Sequence, residues 1–145
     1  MTCLRGWFRV MWVGGAGGDG DVDAVRSWVA SCADINVVDE LEITPLMVAS
    51  SFHRTECVAE MLRLGADARR ADSDGSTALH WAAMRGSSNG DSGGGAEVVR
   101  LLVAAGCDAA VRDNRGRTAV SFTRHDFFRP AWGVEFERWV AAAMA

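Results

Sequence analysis

The segment Gly15–Gly20 satisfies the G-x-G-x-x-G pattern of dinucleotide-binding turns. It follows a short apolar run, and Asp39 comes about 20 residues later, as a nucleotide-binding fold would require. Asp19, Asp21 and Asp23, however, would put negative charge where a pyrophosphate must lie, at the N-terminus of the following helix. We therefore interpret the glycines as a loop and expect no bound cofactor.

A second candidate for chemistry is the pair His53 and Cys57, whose i, i+4 spacing could place two metal ligands on one helix face. Cys57 nevertheless occupies an apolar position of a helical pattern, and His53 falls where the chain should turn. No second ligand pair accompanies them. The sequence therefore predicts a buried cysteine and no metal site.

Catalytic groups are scarce in the rest of the chain. His80 has no nucleophile to serve, so we predict a structural role for it. All fifteen basic residues are Arg, and the absence of Lys excludes a Walker-type phosphate loop, a Schiff base and bound PLP. We expect a protein that is not an enzyme.

Composition limits the class of protein further. The 145 residues, 49% hydrophobic and 23% charged, suffice for one domain with a single core. A net charge of −4 disfavours nucleic acid as the main partner, and no apolar run approaches the roughly 18 residues of a membrane span. Four cysteines without a C-x-x-C pair or secretory signal predict reduced thiols. We expect a cytoplasmic or nuclear protein.

The chain contains an internal repeat. Thr44–Leu46 and Thr77–Leu79 are 33 residues apart, and Thr118–Val120 follows 41 residues later. Because the flanking segments align without a gap, the eight extra residues lie within 87–96, a stretch rich in Gly and Ser. This composition predicts a mobile loop inserted into one repeat.

Each repeat shows the apolar spacing of two short helices. Leu79, Ala82 and Ala83 lie at i, i+3 and i+4 after Thr77, whose hydroxyl can cap the first turn. A second apolar helical segment follows and ends at Gly106. One such pair has too little core to be stable alone, so neighbouring pairs must stack.

These units resemble the ankyrin repeat family. Asp72–Gly86 followed by Glu97–Asp108 is similar to one full ankyrin unit apart from the insertion. Asp39–Asp67 resembles another, with Met47 where the family has His and Glu42 where it has Gly. The resemblance implies an all-α solenoid of stacked helix-turn-helix pairs joined by β-turn or hairpin loops, with His80 supporting hydrogen bonds between turns.

The resemblance also divides the chain. We expect an irregular N-terminal segment over residues 1–18, repeats over 19–129 and a C-terminal capping helix over 130–145. The repeats span about 19–38, 39–71, 72–112 with the inserted loop, and 113–129, which is degenerate. The capping helix carries an amphipathic stripe formed by Trp132, Phe136, Trp139, Val140 and Ala143.

Ankyrin proteins bind partners through the turn tips between units and the exposed face of the first helices. Carried over by position, this surface predicts exposed apolar anchors, and Arg side chains that could grip a carboxylate or phosphate. The predicted partner-binding residues are Val38, Glu40, Leu41, Ile43, Phe52, Asp74, Met84, Arg85, Arg112, Asn114, Arg115, Arg117 and His125.

The charge of the turns changes along the repeats. Segment 37–43 carries −3, segment 69–76 is neutral and segment 110–117 carries +2. The resemblance implies a protein–protein interaction module that binds a protein or peptide, monomeric unless the Trp-containing N-terminal segment mediates association. The alternative is a regulatory or targeting segment of a larger enzyme complex, which it would contact through loop 87–96 and the Trp-rich ends.

Overall fold

The structure, a computed structural model, describes residues 22–31, 35–51, 54–84, 92–124, 137–138 and 140–144. Its α-helices are α1 (Val22–Ser31), α2 (Pro45–Ser51), α3 (Thr55–Arg63), α4 (Ala78–Met84), α5 (Ser92–Ala104) and α6 (Ala119–Arg124). Residues 137–138 and 140–144 are also helical. Among the described residues there is no strand, only an isolated antiparallel bridge between Ala71 and Thr77. The predicted all-α class is confirmed, and none of these helices is long and apolar enough to cross a membrane.

The helices lie in two rows. The first helices of the repeats, α2, α4 and α6, contact one another in chain order, and the second helices, α1, α3 and α5, do the same. Within a repeat, α2 packs against α3 and α4 packs against α5. This arrangement is the predicted solenoid of helix pairs, in which each unit touches only its neighbours.

The core fills the space between the two rows. Leu46 and Leu79 occupy the same position in successive first helices, and both are fully buried. Met61 and Leu102, from the second helices, are fully buried in the same core. Burying each such side chain contributes about 1.5–3 kcal/mol. Val140, from the stripe predicted near the C-terminus, also lies in this core, whereas Trp132, Phe136 and Trp139 lie outside the described residues.

A threonine directly precedes each of the first helices, but the threonine hydroxyls act differently. The hydroxyls of Thr44 and Thr118 each accept the backbone N–H of the residue three positions later, at 3.3 and 3.1 Å respectively, as helix caps do. The Thr77 hydroxyl instead pairs with Nδ1 of His80 at 3.0 Å. The predicted capping role of Thr77 is therefore wrong, because the imidazole nitrogen engages its hydroxyl.

The second helices α3 and α5 end in the same way. In α3 the N–H of Gly65 bonds to the carbonyl of Leu62 at 3.1 Å, and the N–H of the next residue reaches back five residues at 2.9 Å. In α5 the corresponding bonds start at Gly106 and Cys107, both at 3.0 Å. This pair of bonds satisfies the last carbonyls of each helix and directs the chain towards the next turn.

The prediction of a loop over 87–96 fails in its second half. Helix α5 begins at Ser92, so the expectation is wrong for residues 92–96, and residues 87–91 lie outside the described part of the chain. Val98, Val99 and Leu102 are fully buried and anchor the helix, which extends from them towards its N-terminus. Packing at these positions outweighs the cost of the glycines that precede them, about 0.5–1 kcal/mol each.

One turn holds a non-glycine residue in the left-handed region. Glu42 has φ 60°, and the glycines at the same position of the next two turns, Gly75 and Gly116, have φ 78° and 76°. In each turn this residue donates its N–H to the carbonyl three residues earlier, at 2.9–3.0 Å. The turn geometry therefore forces an L-residue to adopt a conformation that costs about 1–2 kcal/mol.

We expect Glu42→Gly to raise the free energy of unfolding by up to about 1 kcal/mol, the backbone strain less the chain entropy that glycine adds to the unfolded state. Urea unfolding followed by circular dichroism measures the change. Glu42→Ala is the control, since it removes the charge and keeps the Cβ. Equal stabilisation by both variants would show that charge repulsion, not backbone geometry, is relieved.

Candidate functional site

The three turns that precede the first helices share one construction. In each, an aspartate Oδ1 accepts the backbone N–H groups of the residues two and four positions later. The aspartates are Asp39, Asp72 and Asp113, and all six donor–acceptor distances lie between 2.9 and 3.0 Å. These carboxylates hold the turns in shape, so they serve the scaffold of the site.

The other carboxylate oxygen is also used in two of these turns. Oδ2 of Asp72 accepts the indole N–H of Trp81 at 3.0 Å, and Oδ2 of Asp113 accepts Nε–H of Arg117 at 3.1 Å. Burial raises the pKa of Asp113. The backbone N–H groups of Arg117 and Arg115 and the Arg117 guanidinium lower this pKa by more than burial raises it, so it lies below its usual range. Asp113 therefore stays ionised within its turn.

Hydrogen bonds also join each turn to the next one. The N–H of Ser73 bonds to the carbonyl of Leu41, and the N–H of Asn114 bonds to the carbonyl of Asp74, both at 2.9 Å. The Asn114 side chain adds a bond from Nδ2 to the carbonyl of Ser73 at 3.1 Å. The turns therefore form a continuous row whose spacing is set by backbone contacts.

His80 connects the second full repeat to the third. Nδ1 accepts the N–H of Thr77 at 3.2 Å, so the ring proton lies on Nε2, which donates to the carbonyl of Arg117 at 2.9 Å. The ring is 1% exposed. The predicted structural role of His80 between turns is confirmed. In the first full repeat the residue equivalent to His80 is Met47, whose sulfur accepts the N–H of Thr44 at 3.4 Å. A thioether carries no proton, so Met47 cannot donate a hydrogen bond to the next turn as His80 does.

Six of the predicted partner-binding residues are exposed along this row. They are Glu40, Leu41, Asp74, Arg112, Asn114 and Arg115. Leu41 is 59% exposed, which is a high value for a large apolar side chain. Arg115 uses its backbone N–H to close the third turn, and its guanidinium has no partner among the described residues. The row therefore presents acid, apolar and basic groups in sequence.

Three predicted residues are less available than expected. Ile43 is half-buried and packs against the core, so the prediction of an exposed anchor is wrong. Val38 is half-buried as well. Arg117 is half-buried and forms an ion pair with Asp113, with Nη2 and Oδ2 3.0 Å apart, so it is not a free cation. Ile43 and Arg117 are therefore held by contacts within the protein.

The remaining predicted residues cannot be placed on the row. Phe52, Arg85 and His125 lie outside the described residues, and so does the side chain of Met84 at the end of α4. The glycine segment 15–20, His53, Trp7 and Trp12 also lie outside them.

The described cysteines belong to the core. Cys57 and Cys107 are buried thiols that form no disulfide, and burial raises the pKa of Cys107 despite the hydrogen bond to the Thr77 hydroxyl at 3.7 Å. A raised thiol pKa disfavours the reactive thiolate at neutral pH. Within the described ranges no group of three or more His, Cys, Asp or Glu side chains could hold a metal ion.

A buried acid that sequence reasoning missed links two second helices. Glu60 of α3 accepts Nε–H of Arg63 at 3.1 Å and Nε–H of Arg26, from α1, at 2.9 Å. Hydrogen bonds from Arg63 and then Arg26 outweigh burial and lower the pKa of Glu60 from 4.5 to about 2. The i, i+3 spacing of Glu60 and Arg63 could have suggested their pairing, but Arg26 is 34 residues away in the chain.

This lowered pKa predicts a loss of stability in acid. The folded-state pKa of Glu60 lies below its unfolded value, so its contribution is fully present above about pH 4.5 and declines as the pH falls towards about 2. Thermal unfolding at about pH 5 and about pH 3 should show a smaller drop in Tm for Glu60→Gln than for the wild type. Glu56→Gln, on the exposed side of the same helix, is the control. Equal drops for the wild type and Glu60→Gln would contradict the assignment.

Comparisons with known proteins agree with this architecture. A family model described as ankyrin repeats (3 copies) matches residues 14–113. The zinc finger CCCH domain-containing protein 50 of Oryza sativa subsp. japonica is 44% identical over 77 residues. That match covers 51% of this chain and 11% of the rice protein, so the chain spans about a tenth of the length of that relative.

Proposed function

Because the chain belongs to the ankyrin repeat family, whose repeats are generally protein–protein interaction modules, we propose that it is a non-catalytic recognition module. It binds a protein or peptide partner through the row of turns that begins at Asp39, Asp72 and Asp113. The observation that carries this proposal is the hydrogen-bonded continuity of the row, which supports a single preformed surface. A partner that docks on such a surface avoids much of the cost of ordering loops.

The exposed side chains suggest how a partner is held. Glu40 lies at one end of the row and Arg112 and Arg115 lie at the other, with Leu41 exposed beside the acidic end. A guanidinium can bind a carboxylate through two parallel hydrogen bonds, and Arg115 has no competing partner among the described side chains. Arg115 is therefore our main candidate for a polar contact, in place of Arg117.

Reversing the charge of the basic end should weaken recognition without unfolding the protein. We expect Arg112→Glu/Arg115→Glu to weaken partner binding by about tenfold or more, the effect of losing one important interface Arg. Affinity capture from cell lysate at physiological salt provides the measurement, with circular dichroism to verify helix content. Arg138→Glu, which reverses an exposed arginine outside the row of turns, is the control for a charge reversal elsewhere on the surface.

A captured protein that the wild type and Arg138→Glu retain, and the double variant loses, would support the row of turns as the binding surface. Retention by all three proteins would refute that surface. The segment before Ser92 and the Trp-rich ends would then be tested, since they are the contacts expected of a regulatory or targeting segment.

The setting of this function is also part of the proposal. We place it in the reducing cytoplasm or nucleus, a choice supported by the buried thiols of Cys57 and Cys107, which form no disulfide. The small share of the rice protein that the match covers supports the view that such repeats work beside other domains. In that case the repeats would recruit the partner, and other domains would act on it.

A further inference from the structure

The turns differ in charge in a regular order. Segment 37–43 carries −3, segment 69–76 carries two Arg and two Asp, and segment 110–117 carries +2. The exposed acids of the first turn are Glu40 and Glu42, and the exposed bases of the third are Arg112 and Arg115. The bonds from Ser73 and Asn114 to the preceding turns keep this order fixed. The row therefore has an acidic end, a balanced middle and a basic end.

A row of turns with opposite charges at its two ends suits a two-fold interface. In a two-fold interface one patch meets a second copy of itself in the opposite direction, so that residue i meets j and j meets i. Most charge patterns repel themselves in this arrangement. Attraction at both ends requires opposite signs at the ends and balance in the middle, and the three turns meet both requirements.

From this complementarity we propose that the row of turns binds a second copy of this chain about a two-fold axis through the middle turn. The proposal names the partner of the recognition surface above and therefore rests on the proposed function. Glu40 and Glu42 of each copy face Arg112 and Arg115 of the other, so the set of ion pairs forms twice.

The side chains at the two ends suit this contact. Arg presents a planar fork of donors that matches a carboxylate, and Arg115 has no partner among the described side chains. Leu41 is 59% exposed next to Glu40 and can pack on the apolar stems of the facing arginines. Because exposed ion pairs are individually weak, the dimer should be in reversible equilibrium with the monomer and sensitive to salt.

Sedimentation equilibrium of the full chain tests the proposal. The wild type at roughly 100 μM should be dimeric, since an interaction in the micromolar range is largely saturated there. Raising NaCl from about 0.05 to about 1 M, which shortens the Debye length to about 3 Å, should shift it towards monomer. Glu40→Arg/Glu42→Arg makes both ends basic and Arg112→Glu/Arg115→Glu makes both acidic, so each variant alone should be monomeric.

Mixing the two variants is the decisive step. Every contact then joins a basic end to an acidic end, so an equimolar mixture should recover the mass of a dimer. Recovery would support pairing through the turns, which a dimer formed elsewhere on the protein could not imitate. A wild type that stays monomeric, variants that dimerise like the wild type, or a mixture that stays monomeric would each overturn the second copy as the occupant.

The oligomeric state and partner capture, taken together, test the recognition function independently of the dimer. A monomeric wild type whose captured partner is lost by Arg112→Glu/Arg115→Glu overturns the dimer and leaves the proposed function in place. A dimer that both double variants retain, together with unchanged capture, overturns the turns as a binding surface altogether.

Discussion

Replacing His80 with alanine should lower the free energy of unfolding by about 3 kcal/mol. The ring is fully buried, so its removal leaves a cavity between the first helices of adjacent repeats. It also removes the acceptor of the Thr77 N–H and the donor to the carbonyl of Arg117. That carbonyl keeps the N–H of Asp113 at 2.9 Å, so the larger polar loss falls on the buried Thr77 N–H.

The chain supplies its own control for this prediction. His80→Met introduces the residue that the preceding repeat has at this position, where the sulfur of Met47 accepts the N–H of Thr44. This variant should fill most of the cavity, so we expect a loss of about 1 kcal/mol, the value of the hydrogen bond between repeats. Urea unfolding of both variants provides the measurement. If His80→Met were as unstable as His80→Ala, the bond to Arg117 would be the dominant contribution instead.

The second large effect is expected at Gly75, where alanine should cost about 2–3 kcal/mol. The residue has φ 78°, which already disfavours any side chain. An added Cβ would lie 2.9 Å from Oδ1 of Asn114, 3.1 Å from its backbone nitrogen and 3.3 Å from Cα of Asp113. The middle and third turns approach so closely that they would have to separate to admit the methyl group.

Gly116→Ala separates the cost of the backbone conformation from the cost of the contact between turns. Gly116 has φ 76° in the same turn position, but a Cβ there would meet nothing within 4 Å among the described residues. The expected loss is therefore the conformational part alone, about 1 kcal/mol. The difference between the two variants in chemical denaturation measures the contact between turns. Equal losses would mean that the turns relax without cost.

Much of this architecture could be predicted from spacing alone. The 33-residue offset between Thr44–Leu46 and Thr77–Leu79 predicts equivalent helix pairs in successive repeats, and the structure contains them. The role of His80 between turns is predicted by the resemblance of its motif to the ankyrin repeat family. Repetition is informative here because each repeat must present the same apolar face to its neighbour.

The errors arose where a neighbouring side chain decides the outcome. Ile43 and Arg117 were expected to face a partner, but the core and the carboxylate of Asp113 hold them. Thr77 was expected to cap a helix, and the ring of His80 takes its hydroxyl instead. Glu60 was missed because Arg26 comes from another repeat. Spacing identifies which residues share a turn, whereas competition between possible contacts depends on distances that only the folded chain has.

Because hydrogen bonds join each turn to its neighbours in the row, the rate at which amides exchange with solvent should depend on which turns separate. The N–H of Ser73 can exchange with solvent when the first turn parts from the second, and that of Asn114 when the second parts from the third. The hydrogen-exchange rates of these two amides therefore report two separate openings of the solenoid. If repeats detach independently, their exchange rates differ and respond to different substitutions; if the stack opens as one unit, both amides exchange at the rate of global unfolding.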